Sequence, residues 1–202
     1  MRKLQLGLRV VTIAFVTLTA VSCKDAKTDK NVKTEHHSDM KHDNSDGHHN
    51  DNKKEMTMTE NSTSQAVLKD YFSLKDALVA DDNEKAKNLG GTLAKSLKAF
   101  DTSKHSGDKQ SELKDIIEDA TEHAEHISES DIAHQREHFK VLSKDMVDMV
   151  AITGTSMKIY EQFCPMYDNN KGGAWLSMNK EIKNPYFGAK MLKCGKVQRE
   201  IN

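Results

Sequence analysis

Proline is almost absent from this chain, cysteine is scarce, and no apolar run is long enough to cross a bilayer. Two prolines in 202 residues leave long stretches free to be helical, because proline is the residue that most firmly ends a helix. Three cysteines, Cys23, Cys164 and Cys194, are too few for a disulfide framework, and they lack the Cys-x-x-Cys spacing of thiol oxidoreductases. An excess of either charge is missing too: 30 Lys and Arg stand against 31 Asp and Glu. With no concentrated basic face, nucleic acid is excluded as a partner. Aromatics make up 5% of the residues, and most fall in the last third. No nucleophile elbow, phosphate-binding glycine loop or HExxH zinc motif occurs, so the reading is not an enzyme.

What is present begins with an export signal. Arg2, Lys3 and Arg9 precede an apolar stretch from Val10 to Val21. That stretch falls short of the roughly 20 apolar residues of a membrane span and suits a signal h-region. It ends at Ala20-Val21-Ser22-Cys23, which resembles the bacterial lipoprotein cleavage box, with Ala20 where leucine is usual. The expectation is a signal over residues 1–23 and a lipid on Cys23, anchoring the chain to a membrane of the cell envelope. Without the three signal cations, 27 basic residues remain against 31 acidic ones.

Residues 24–64 are polar, charged and nearly devoid of large apolar side chains, the composition of a disordered tether. Five of the ten histidines lie here: His36, His37, His42, His48 and His49. Such tracts collect Cu(II), Zn(II) or Ni(II) loosely through imidazole nitrogen, or serve as plain polar linker.

An ordered domain over 65–202 is predicted next. Val67, Tyr71, Leu74 and Leu78 recur at helical spacing. Asp81-Asp82-Asn83 breaks the pattern and offers a cap. Ala86, Leu89, Leu93, Leu97 and Phe100 form a second stripe, which Gly90-Gly91 should weaken. Leu113, Ile116, Ile117, Ala120, Ala124 and Ile127 form a third. Ser128 to Asp131 can cap a fourth helix, bearing Ile132, Phe139, Leu142, Met146 and Met149. Four amphipathic segments on short connections predict a mainly α fold, an antiparallel four-helix bundle. After about Gly154, frequent Gly and Pro predict an irregular C-terminal segment.

That segment holds the chemistry. Cys164-Pro165-Met166 and Met191-Leu192-Lys193-Cys194 each set a thiol within three residues of a thioether. These soft donors together suit Cu(I), or Ag(I) as its mimic, and thioether argues against structural zinc. The candidate metal ligands are therefore Cys164, Met166, Met191 and Cys194. Among the remaining histidines, His123 lies about 70° and His126 about 130° from the centre of the third helix's apolar face. His134 and His138 stand four apart on the fourth helix and flank its core face. The reading is boundary or surface histidines, with His123 and His138 as auxiliary ligands if the site borrows a nitrogen.

Four motifs, Cys164-Pro165-Met166, Trp175-Leu176-Ser177, Asn184-Pro185-Tyr186-Phe187-Gly188 and Met191-Leu192-Lys193-Cys194-Gly195, carry a resemblance. The segment Asp131-Ile132-Ala133-His134-Gln135-Arg136 and the run from Phe139 to Ser143 add to it. Over about Gln65 to Val197 the chain resembles an uncharacterised domain found at the C-terminus of some periplasmic adaptors of heavy-metal RND efflux pumps. That domain also occurs as stand-alone envelope lipoproteins. The resemblance implies a helical fold and a role in copper or silver handling, with a heavy-metal efflux system as partner.

Two functions stay open at this point. In one, the envelope lipoprotein binds Cu(I) or Ag(I) through the Cys/Met set. In the other, a Cys164–Cys194 disulfide staples an interaction module whose exposed Trp175, Tyr186 and Phe187 dock an efflux or sensor partner.

Overall fold

A computed structural model of the chain describes residues 51–202, with side-chain surroundings from Thr63 onward. The signal, Cys23 and the five tether histidines lie outside the described residues. Helix α1 runs Asp51–Val79, α2 Asn83–Lys98, α3 Asp108–Glu129 and α4 Ile132–Thr153. Thus α1 starts well ahead of Gln65, inside the stretch read as tether. Among the described residues, no helix is long and apolar enough to cross a membrane.

Each helix buries the stripe its sequence announces. Val67, Leu68, Tyr71, Leu74 and Leu78 of α1 are fully enclosed, as are Leu93 and Leu97 of α2, Leu113 and Ile127 of α3, and Phe139, Leu142, Met146 and Met149 of α4. The breaks are capped as their residue types require. Asp82 accepts from the Lys85 N–H at 3.0 Å. Asp131 accepts from Ala133 and His134 at 3.0 and 3.1 Å, satisfying donors that a helix start leaves free. Consecutive helices pack on one another and α4 also packs against α1, the contact pattern of a four-helix bundle.

Gly90 is a contact point in this packing. A β-carbon there would stand 2.9 Å from the Ala124 carbonyl and from Ile127 Cγ2, so its absence lets α2 approach α3.

The C-terminal part departs from the irregular segment predicted for it. Strands β1 Ile159–Cys164, β2 Gly173–Ser177 and β3 Lys196–Ile201 form an antiparallel sheet in the order β2-β1-β3. The glycines and prolines punctuate the connections between strands, which is why they hide the strands from a helix-minded reading. The sheet shares the bundle's core. Cys164, Trp175 and Leu176 are fully buried and Tyr186 nearly so, in one cluster with Tyr71 and Phe139. Edge strand β2 is closed by the bundle: the Leu176 N–H donates to the Tyr71 hydroxyl at 3.0 Å.

Candidate functional site

Cys164 ends β1, paired with Gly173 of β2, and is fully buried. Cys194 sits just ahead of β3 and is half-buried. The two thiols are free and in hydrogen-bond contact, and the Cys194 sulfur also accepts from the Met166 backbone N–H. Desolvation, followed by the contact with Cys164, pushes the Cys194 thiol up to about 11, against the lowering effect of that N–H. Cys194 is thus held as a thiol at neutral pH.

Local sequence explains how Cys194 is placed. Its N–H donates to the Met191 carbonyl at 2.9 Å. Buried Asn184 does the rest: Nδ2 donates to the Cys194 carbonyl at 2.7 Å, and Oδ1 accepts from the N–H groups of Tyr186 and Phe187 at 2.8 and 3.2 Å. The Asn184 N–H itself donates to the Leu192 carbonyl at 2.9 Å. One asparagine therefore ties the 184–188 turn to the 191–194 turn. Gly195 follows at φ 143°, where a β-carbon would press on Trp175 and the Phe163 carbonyl at 2.9 and 3.0 Å.

The turn between β1 and β2 is left-handed. Asp168, Asn169 and Asn170 take φ of 47°, 53° and 67°, a region that Asp and Asn tolerate better than other non-glycine residues. Lys140 of α4 holds this turn through Asp168 at 2.6 Å.

The four predicted sulfur ligands are gathered unequally. Cys164 and Cys194 touch, whereas Met166 and Met191 join them by backbone hydrogen bonds. The Met166 side chain is 50% exposed and lines a surface groove with Val141, Tyr167 and Phe187.

Two predicted docking residues are not on the surface. Trp175 is fully buried and Tyr186 is 2% exposed; Phe187 is half-buried. Tyr186 stacks on Tyr167 at 4.2 Å, meets Trp175 edge-on at 5.8 Å, and donates its hydroxyl to the Ala174 carbonyl. Large rings beside Gly and Pro look like loop decoration in sequence, but here they fill the space between sheet and helices.

Sequence reasoning also passed over Arg136. Its guanidinium donates to the Leu78 carbonyl at 2.9 Å, to Asp81 at 2.5 Å and to the Pro185 carbonyl at 2.8 Å, clamping α4 to the end of α1 and to the 184–188 turn. The Ala189 N–H and this guanidinium hold the Asp81 carboxyl below its usual range.

His123 and His138 meet across the α3–α4 contact, with Nδ1 atoms 2.8 Å apart. His138 Nε2 lies 3.1 Å from His134 Nε2, and His126 stacks on His138 at 4.6 Å. Among the described residues, no three His, Cys, Asp or Glu side chains already converge as a metal-holding group. No curated protein and no solved structure matches the chain. The motifs from Cys164 to Gly195 lie outside residues 67–158. Residues 67–158 match the family described as "Protein of unknown function (DUF3347)", so this stretch is an uncharacterised domain similar to that family.

Proposed function

We propose that this protein is an envelope lipoprotein whose folded domain captures a soft monovalent cation, Cu(I) or Ag(I). Cys164 and Cys194 supply the main donors as thiolates, and Met166 and Met191 complete the shell. The observation that carries this reading is the contact of two reduced thiols, one on a buried strand end and one on a turn fixed by Asn184. Thiolate and thioether are the donor set such ions prefer.

A thiol held up near 11 must lose its proton before it can act as a ligand. A bound soft cation displaces the protons, so loading releases them and weakens at low pH. The tether histidines gather Cu(II) ahead of reduction, and the lipid on Cys23 keeps the module at the membrane beside a heavy-metal efflux system.

X-ray absorption of the reduced, Cu(I)-loaded full chain tests the donor set. A shell of sulfur scatterers supports the reading; a shell of nitrogen alone contradicts it.

The same thiol contact favours a second reading, in which Cys164 and Cys194 oxidise to a disulfide and the domain docks an efflux or sensor partner without metal. Since Trp175 and Tyr186 are buried, that partner would meet the Met166 and Phe187 groove instead. A thiol count on protein taken directly from the envelope separates the two: blocked cysteines support the disulfide, titratable ones the metal site.

A further inference from the structure

We propose that Met166 is the entry ligand of the sulfur site, whose exposed thioether takes a soft cation from solvent and passes it inward to Cys194 and then to Cys164. This rests on capture of Cu(I) or Ag(I) by the two thiols, and adds the order in which the donors engage.

The donors are graded by depth. Met166 is 50% exposed, Cys194 is half-buried and Cys164 is fully buried at the end of β1. An ion arriving from solvent therefore meets Met166 before it meets Cys164. Met191, half-buried like Cys194, offers its carbonyl to the Cys194 N–H and sits deeper than Met166.

Met166 is anchored beside the inner donors while its side chain faces outward. Pro165 alone separates it from Cys164, and its backbone N–H donates to the Cys194 sulfur. From that fixed point the side chain enters the surface groove it shares with Val141, Tyr167 and Phe187. Three rotatable bonds and a polarisable sulfur suit such a side chain to reach out and fold back.

The chemistry runs in the same order. A thioether carries no proton, so its sulfur bonds to the ion as the bond to the incoming carrier breaks. Each thiol then bonds to the ion in turn and gives its proton to solvent. No electron moves in these steps, and the ion stays monovalent.

Met178 supplies the comparison. At 54% it is as exposed as Met166. In the β1–β2 register Gly173 faces Cys164 and Ser177 faces Tyr160, so Met178 follows the strand end remote from Cys164, about 13 Å of strand away. Met146 and Met149 are fully buried in α4. Among the described residues, Met166 alone joins an exposed thioether to a backbone contact with the thiol pair.

Anaerobic stopped-flow loading of the reduced full chain reads this order. Cu(I) is delivered in acetonitrile-containing buffer, and the thiolate–Cu(I) charge-transfer absorption is followed. The chain carrying Cys164→Ser and Cys194→Ser gives the blank. Met166→Leu, a volume-conserving change, should slow loading by about threefold or more with unchanged thermal unfolding. Met178→Leu should load at the parent rate. Met191→Leu should also load at the parent rate, but release the ion faster to a chelator. Should Met166→Leu load as fast as the parent, or Met178→Leu slow it equally, the entry role falls and the sulfur site stands. Should the folded, reduced parent never develop the absorption, the sulfur site itself falls and the entry role with it.

Discussion

The Tyr71 hydroxyl accepts the Leu176 N–H at 3.0 Å and meets the Ser143 hydroxyl at 2.9 Å, so one phenol on α1 joins the edge of the sheet to α4. Burial pushes this phenol far above its ordinary range, and its ring stacks on Phe139 at 5.2 Å. Tyr71→Phe keeps the ring but strands a buried N–H and a buried hydroxyl. Chemical denaturation should show a loss of about 1–3 kcal/mol. An unchanged midpoint would mean that the sheet is not docked through this bond.

Gly90 and Gly91 provide a paired test of the α2–α3 contact. Alanine favours a helix over glycine by about 1 kcal/mol. At Gly91, where a β-carbon would meet only Ser128 at 3.8 Å, Gly91→Ala should stabilise by up to that amount. At Gly90 the same methyl meets α3 at 2.9 Å, and overpacking of about 1–3 kcal/mol reverses the sign. Thermal unfolding of the two variants should therefore shift in opposite directions.

Asp145 is a buried carboxyl on α4 with an unpartnered oxygen. Desolvation, then Asp119, raises it to about 7; Asp148 adds to this rise and Lys144 opposes it. The folded state thus holds a proton that the unfolded chain releases near pH 4, so this group's contribution to stability falls as pH rises from about 4 to 7. Asp145→Asn removes that slope. A tenfold change in proton affinity is worth about 1.4 kcal/mol, and partial solvation of the carboxyl reduces the total. Urea unfolding should show a gain on the order of 1–2 kcal/mol at pH 8 and little at pH 5. Equal effects at both pH values would contradict the assignment.

Asn184→Ala should loosen the sulfur site more than the fold. It removes the donor to the Cys194 carbonyl and the acceptor for Tyr186 and Phe187. A stability loss of about 2–4 kcal/mol should come with weaker Cu(I) retention in a chelator competition. Full retention in a folded variant would mean that Asn184 does not position Cys194.

The helices were legible in the chain because their signal is periodic: positions 67, 71, 74 and 78 already mark the buried face of α1, and Asp82 and Asp131 already mark starts. The strands were not. β1 is central and buries residues on both faces, so it shows no clean alternation. The histidines lie at the boundary or on the surface, as read, but their contact with one another was not legible. A wheel drawn for α3 alone puts His126 far from the core, and one drawn for α4 puts His134 on its rim. Their common neighbour, His138, emerges only once α3 packs on α4. Asn184 carried a usable signal, since Asn before Pro favours a turn held by its own side chain. Nothing in its spacing pointed to the Cys194 carbonyl ten residues on.

The contact between Cys164 and Cys194 has two chemical outcomes. Oxidation to a disulfide should stabilise the fold by about 2–4 kcal/mol and abolish Cu(I) uptake, both reversed by reductant. Denaturation with and without reductant checks the first effect, and metal loading the second.

Capture of a soft cation by the two thiols is put to the test by anaerobic Cu(I) titration of the reduced full chain against a strong Cu(I) chelator. The comparison is the chain carrying Cys164→Ser and Cys194→Ser together. The parent chain should hold one equivalent against the chelator and the double variant none, while Cu(II) binding by the tether histidines persists. Tight Cu(I) binding retained by the double variant, or no competition from a folded, reduced parent chain, would contradict capture by sulfur.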